Sequence, residues 1–254
     1  MLPGSETIRQ MHFNLRTRAW VEMRQQIITE KSIALKVNGE QWLSFICSPF
    51  DLEALAVGFL YNEDIISSVD QIQHIQISLE AATIDVQLQS QVVRPEHWHR
   101  TTTGLTFQNP LAFSGVKDSF KISAERLITL YEQFSAGQVM HQAMGGFHSA
   151  AMSDGKQINI AVEDVGRHNA LDKITGHFLL KNRPFIPRLI LLTGRVSSEM
   201  IHKAIRSGIC ILVSRTTPTY NAVQTAHHNN ITLVGYMRKD CFTAYTYPER
   251  IILE

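Results

Sequence analysis

Apolar positions along the chain recur with a period of two in some blocks and about three and a half in others, and the switches between these periods mark out strands and helices. Ile33 to Val37 and Trp42 to Cys47 are apolar, β-prone runs on either side of Asn38-Gly39, the pair favoured in tight turns, which predicts a hairpin. Ser48 is placed to cap a following helix with Pro49 in its first turn. Leu52, Leu55, Ala56, Phe59 and Leu60 then share one helical face, so this helix is expected to lie against the hairpin. Ile72 to Leu79 and Thr83 to Leu88 alternate like paired strands of the same sheet, giving a small α+β domain over residues 1–100.

Periodicity fades between Arg94 and Ile122, where Pro95, Gly104, Pro110 and Gly115 interrupt the chain, and residues 101–122 are expected to form a loop between domains. From Ser123 a helical pattern runs through Leu127, Leu130, Tyr131 and Phe134 to Gly137. Beyond it, strand-like and helix-like segments alternate: Ile158 to Val162, a helix from about Asn169, Leu189 to Leu192, Ser198 to Arg206, Cys210 to Val213, Tyr220 to His227 and Ile231 to Val234. Such alternation predicts an α/β domain over 123–254 built on a mainly parallel sheet. No internal repeat or low-complexity tract alters this organisation.

Composition narrows the function classes. With 254 residues, 44% hydrophobic and 19% charged, the chain can bury a sizeable core, and its net charge of +1 argues against a general nucleic-acid or membrane-surface binder. Any phosphate contact must then be local. Cys47, Cys210 and Cys241 lie far apart, which points away from a disulfide framework or a structural zinc site and towards a reducing cytoplasm. Met1 to Arg18 holds no apolar core of a signal peptide, and no run approaches the roughly 18 apolar residues of a membrane span, so a soluble, unprocessed protein is expected. Neither His97 with His99 nor His227 with His228 completes a metal-binding pattern, and no G-x-S-x-G elbow appears, so neither a metal site nor a serine nucleophile is expected.

In an open α/β sheet, ligands sit beyond the carboxyl ends of the strands, where loops enter helices with free backbone N–H groups. Thr193-Gly194-Arg195-Val196-Ser197-Ser198 and Ser214-Arg215-Thr216-Thr217-Pro218-Thr219 both fall there, each offering an arginine and hydroxyls, with Thr217 a candidate N-cap. Each loop taken singly reads as an ordinary helix cap with a surface arginine; their recurrence brings phosphate binding level with that reading. Glu163-Asp164-Val165-Gly166-Arg167-His168-Asn169 crowds acids, a base and an imidazole at another strand end, either as a site where His168 bonds a base or donates a proton and an acid fixes guanine-like N–H groups or Arg167, or as a buried ion-pair network. Gly145-Gly146-Phe147-His148 adds a second imidazole. Tyr236-Met237-Arg238-Lys239-Asp240-Cys241 offers an aromatic ring for stacking and cations for phosphate after the final strand.

The run from Glu163 to Gly176, Glu-Asp-Val-Gly-Arg-His-Asn-Ala-Leu-Asp-Lys-Ile-Thr-Gly, resembles the signature of the formate dehydrogenase accessory protein family, FdhD. Asp51 to Ile65, Gly145 to His148, Thr193 to Met200 and Leu233 to Pro248 resemble further family segments in the same order, so the likeness spans nearly the whole chain. It implies a cytidine-deaminase-like α/β/α domain beside a small N-terminal α+β domain, commonly as a homodimer. It also implies binding of the molybdenum bis(molybdopterin guanine dinucleotide) cofactor, its precursor or GDP-like ligands, with a cysteine desulfurase and formate dehydrogenase as partners and no nucleic acid or membrane among them. The cofactor-binding positions it implies are Tyr236 to Cys241, Arg195, Ser197, Arg215, His148, Asp164, Gly166, Arg167 and His168.

Members of that family relay sulfur through a Cys-x-x-Cys loop, whose low-pKa thiolate accepts a persulfide. Here Thr103-Gly104-Leu105-Thr106 resembles that loop, with Thr103 and Thr106 where the cysteines belong. A threonine hydroxyl cannot carry a persulfide. The alternatives are therefore Cys241 acting as a substitute carrier, or a non-catalytic cofactor-binding or scaffold relative. A deaminase would need His-x-Glu and Pro-Cys-x-x-Cys, and the sequence contains neither.

Overall fold

The computed structural model describes residues 3–95, 115–181 and 185–253, and the backbone of 99–101 and 104–106. It opens with an element that the sequence reading did not anticipate, a two-stranded antiparallel ribbon of β1 (Ser5–Asn14) and β2 (Ala19–Ile28). Its apolar residues fall on both faces, so neither strand shows the clean alternation of a half-buried strand.

The predicted hairpin follows as β3 (Lys31–Val37) and β4 (Glu40–Cys47), with Asn38 at φ 50° and Gly39 at φ 83°, the pair of positive angles that a tight primed turn demands. Asn38 also fastens the neighbouring strand, its carboxamide oxygen accepting from Leu88 N at 2.8 Å. After α1 (Leu52–Asn62) come β5 (Ile72–Ser78) and β6 (Thr83–Leu88), completing a sheet in the order β4-β3-β6-β5. Ile33, Leu35, Leu55, Leu60 and Ile84 are buried together as its core. Ser48 does not cap α1, contrary to expectation. The N-cap is Asp51 in the left-handed region, and the Ser48 hydroxyl instead accepts from Val165 N at 3.2 Å across the domain interface.

A short hairpin of β7 (His99–Thr101) and β8 (Gly104–Thr106) lies in the predicted interdomain region. The second domain then runs β9 (Ile122–Ser123), α2 (Ala124–Ala136), α3 (Val139–Met144), β10 (His148–Ser153), β11 (Ile158–Asp164), α4 (Arg167–Leu180), β12 (Leu189–Leu192), α5 (Ser198–Arg206), β13 (Ile211–Ser214), α6 (Tyr220–His228), β14 (Thr232–Gly235), β15 (Thr243–Ala244) and β16 (Ile251–Ile252). The sheet order β11-β10-β12-β13-β14-β15 confirms the α/β class, with parallel pairing confined to β12, β13 and β14 and antiparallel strands on both flanks. The antiparallel entry comes from β10, inserted between β11 and β12. It is buried almost throughout, and its small side chains look nothing like a β-branched strand. β12 and β13 are buried along their whole length, as strands covered on both faces must be.

The two domains meet where α1 crosses α4 at two glycines. A Cβ added to Gly58 would lie 1.8 Å from Asp172 O, and one added to Gly176 would lie 1.9 Å from Ala54 O, so the backbones touch. Charges are buried around this crossing. Lys173 Nζ meets Asp164 at 2.6 Å and lies 4.2 Å from the centre of the Phe50 ring, while Lys203 Nζ meets both Asp172 and Glu63. Asn62 donates to Asp172 at 2.8 Å, so residues of both domains complete each network.

Candidate anion-binding site

The ends of the strands form one edge stitched by hydrogen bonds. Arg215 N donates to Leu192 O, Ser214 Oγ to Gly194 O at 2.7 Å, Thr219 N to Val196 O at 2.9 Å and Tyr236 N to Thr216 O at 3.2 Å. These bonds lock the loops after β12, β13 and β14 side by side, so the segments carrying Arg195, Arg215 and Arg238 are neighbours. Arg238 reaches back to donate to Arg215 O at 2.7 Å. Because β10 runs antiparallel to its neighbours, its first residue, His148, arrives at this same edge, opposite Asp164.

The loop after β11 feeds directly into α4, which begins at Arg167, two residues ahead of the predicted start. Arg167 and His168 therefore occupy the first helical turn, where free N–H groups and the helix dipole favour anions. Gly194 lets this turn approach: a Cβ there would stand 3.0 Å from His148 Nδ1 and 3.3 Å from Arg167 Cβ. Arg167 Nε and Nη2 are buried and have no hydrogen-bond partner among the described residues, and neither does His168 Nε2. Burial first and Arg195 second hold the Arg167 guanidinium below its usual range. A cation so placed, with open donors, is short of a counter-charge.

Both histidines are kept neutral. Burial, followed by Lys203 and Arg167, brings His168 down to about 3, and burial with Arg167 lowers His148 as well. The Glu199 carboxylate lies 3.6 Å from His168 Nε2, too long for a hydrogen bond, and with a neutral ring this contact is no ion pair. Burial raises Glu199 itself. The edge thus offers guanidinium charge together with uncharged imidazoles, a set suited to phosphate and to the polar rim of a base.

The other predicted residues divide. Arg195 and Arg215 are exposed on the edge, Ser197 is the N-cap residue of α5, and Tyr236, Lys239, Asp240 and Cys241 are exposed past β14. Tyr236 is held at φ 51° and is 46% exposed. Gly166 is the N-cap of α4. Asp164 does not face the edge as a free carboxylate. Its oxygens are taken by Ser48 N, Gly166 N, the Asn169 amide and Lys173, so it builds the loop instead of contacting a ligand. Met237 is buried in the core. Glu163 alternates to the other face of β11 and accepts from Met140 N and His141 N at 2.8 Å, lining with Asp51 and Gln138 a cavity of about 320 Å³ on that opposite face. Thr217 is not the cap of α6, since Thr219 supplies the oxygen that accepts from Ala222 N. Thr103 lies outside the described residues, and Thr106 is described only as backbone in β8. Sequence reasoning missed Glu199 as part of the site, and it read Gly194 only as a flexible member of the Thr-Gly-Arg run, not as the point where α4 comes close.

Comparison with known proteins places this architecture. The fold is that of a putative formate dehydrogenase accessory protein from Desulfotalea psychrophila, whose crystal structure superposes with a TM-score of 0.80 at 24% identity, covering 98% of this chain and 100% of that one. The sequence goes further: the profile of the FdhD/NarQ family matches residues 28–252, and the chain belongs to that family. It is 32% identical over 240 residues to the sulfur carrier protein FdhD of Bacillus subtilis (strain 168), covering 91% of this chain and 92% of that protein. It is also 32% identical to the FdhD sulfur carrier of Staphylococcus aureus (strain MRSA252) over 239 residues, covering 89% of each. Among the described residues, no helix is long and apolar enough to cross a membrane.

Proposed function

We propose that this chain is a cytoplasmic accessory factor for formate dehydrogenase. At the stitched edge it binds a guanine-dinucleotide form of the molybdenum cofactor, bis(molybdopterin guanine dinucleotide) or its precursor. The observation that carries this reading is the Arg167 guanidinium beside Arg195, whose buried Nε and Nη2 have no hydrogen-bond partner among the described residues. A pyrophosphate accepts from just such a fork. Arg215 and Arg238 supply further cations along the edge, Ser197 supplies a hydroxyl, and the exposed Tyr236 ring supplies a stacking face for a purine. His148 and His168, both neutral, hydrogen-bond without adding charge.

Sulfur delivery is the part of the family's role that this sequence makes hardest. Burial pushes the thiols of Cys47 and Cys210 up to about 12, so neither is a thiolate near neutral pH, and Cys241 is the exposed cysteine. For Cys241 to serve, its thiolate attacks the terminal sulfur of a desulfurase persulfide, the S–S bond breaks, and the desulfurase cysteine leaves as thiolate. The threonines at 103 and 106 support a second reading, a cofactor-binding or scaffold relative that carries no sulfur.

Two measurements separate these readings. Calorimetry with GDP tests the site: binding in the micromolar range or tighter supports it, and the absence of heat at millimolar GDP refutes it. Incubation with a cysteine desulfurase and radiolabelled cysteine tests the chemistry. Label that is retained on the parent chain and lost in Cys241→Ser supports the carrier, whereas an unlabelled parent leaves the scaffold reading.

A further inference from the structure

The cavity of about 320 Å³ on the far face of β11 lies at the small end of the range that holds small molecules. Phe50 and Asp51, from the loop between β4 and α1, reach it from one domain, and Phe134, Gln138, Met140 and Glu163 reach it from the other. Contacts within the chain fix these walls. Phe50 packs against Gly4, where a Cβ would stand 2.9 Å from the ring, and Lys173 Nζ lies 4.2 Å from the ring centre. Glu163 is oriented by Met140 N and His141 N, each donating at 2.8 Å, and a carboxylate with two such bonds still has lone pairs to offer.

Gln138 shows that the cavity is polar where it matters. It is only 4% exposed, it does not cap α3, and its carboxamide makes no hydrogen bond among the described residues. A buried amide left without a partner is costly, and this one lines the cavity, so its donors and its acceptor are open to whatever fills the space.

The charges say what kind of molecule fits. Among the described residues, the lining holds two carboxylates and neither lysine nor arginine. Lys173, behind Phe50, is spent on Asp164 at 2.6 Å. Asp51 is the N-cap residue of α1 but makes no capping hydrogen bond, and it is held at φ 52°, a left-handed backbone that a non-glycine residue adopts at a cost. His177 Nε2 lies 3.4 Å from its Oδ2, which leaves Oδ1 for a ligand. Phe50, Phe134 and Met140 supply apolar surface between these polar groups.

We propose that this cavity binds a small organic cation, a primary ammonium on an apolar body, with the ammonium held by Asp51 and Glu163 and a hydroxyl or similar group on Gln138. The inference does not rest on the cofactor reading, which concerns the opposite face of the strand.

The test uses tyramine as the probe, titrated into the full chain by calorimetry. The control is 3-(4-hydroxyphenyl)propionate, the same skeleton with a carboxylate in place of the ammonium. Tyramine is expected to bind with a Kd below about 1 mM, and the propionate to give no binding heat. Asp51→Asn keeps the size of the side chain and a backbone that asparagine tolerates, and should weaken tyramine roughly tenfold. Gln138→Leu should weaken it roughly fivefold while leaving the melting temperature unchanged or higher, because the variant removes an unpartnered amide. A purely structural role for Gln138 would instead lower the melting temperature. A parent chain that gives no heat with tyramine at about 10 mM, a propionate that binds as well as the amine, or an Asp51→Asn chain that binds tyramine as tightly as the parent would each overturn the proposal.

Discussion

Replacing Arg167 by Met separates binding from folding. The Arg167 Nε and Nη2 donors find no partner among the described residues, burial and Arg195 both disfavour the charge, and Glu199 offsets this only in part. Methionine keeps an apolar stem of similar reach, so the packing under the guanidinium survives. Removing a charge that makes no hydrogen bond through its two buried donors should leave stability unchanged or raise it by up to about 1 kcal/mol, a rise of roughly 2 to 4 °C in Tm for a chain of this size. The ligand loses its bidentate contact. Each charged hydrogen bond contributes about 1.5 to 3 kcal/mol, and with Arg195 recovering part of the loss, a net of about 3 kcal/mol corresponds to roughly 150-fold weaker GDP binding. Calorimetry reads the affinity and thermal melting followed by circular dichroism reads the stability. Unchanged affinity, or a melting point lowered by several degrees, would show that Arg167 serves the fold and not a ligand.

Further outcomes follow from the interface and the buried ring. Gly58→Ala must part α1 from α4, because its Cβ would overlap Asp172 O, and should cost about 3 kcal/mol or more in urea denaturation. Lys203→Met leaves Asp172 and Glu63 buried without their cation and should cost about 3 to 5 kcal/mol, while Lys203→Met combined with Asp172→Leu should recover much of that loss. His168 falls to about 3 in the folded chain from 6.5, so the unfolded chain takes up its proton first, and stability drops as pH falls from about 6.5 towards 3. At pH 5 this amounts to about 2 kcal/mol relative to pH 8, and in His168→Gln the loss measured by urea denaturation at the two pH values should shrink by that amount.

How much of this was legible depended on how local the cause was. The hairpin at Asn38-Gly39 was readable because positive φ is a property of those two residues, and the buried β12 and β13 were readable as apolar runs. β10 was not, because Ser149, Ala150 and Ala151 owe their place to the space between neighbouring strands, not to any strand preference of their own. The ribbon was missed for the opposite reason: with neither face buried, no alternation is imposed on it. At the site, the loops and their arginines were visible at the strand ends. How each acid is engaged was not, since Asp164 and Glu163 look alike in sequence and differ through Ser48, Lys173 and the start of α3, partners that lie far along the chain or across the sheet.

The glycine contact between α1 and α4 also bears on how the protein can move. Two helices whose backbones touch have no side-chain layer on which to slide or roll, and the buried charges beside them would have to be stripped of their partners for the domains to separate. Among the described residues, the α1–α4 crossing therefore offers no hinge. A bulky anion that settles on the strand-end edge meets arginine side chains above a floor that this crossing holds fixed.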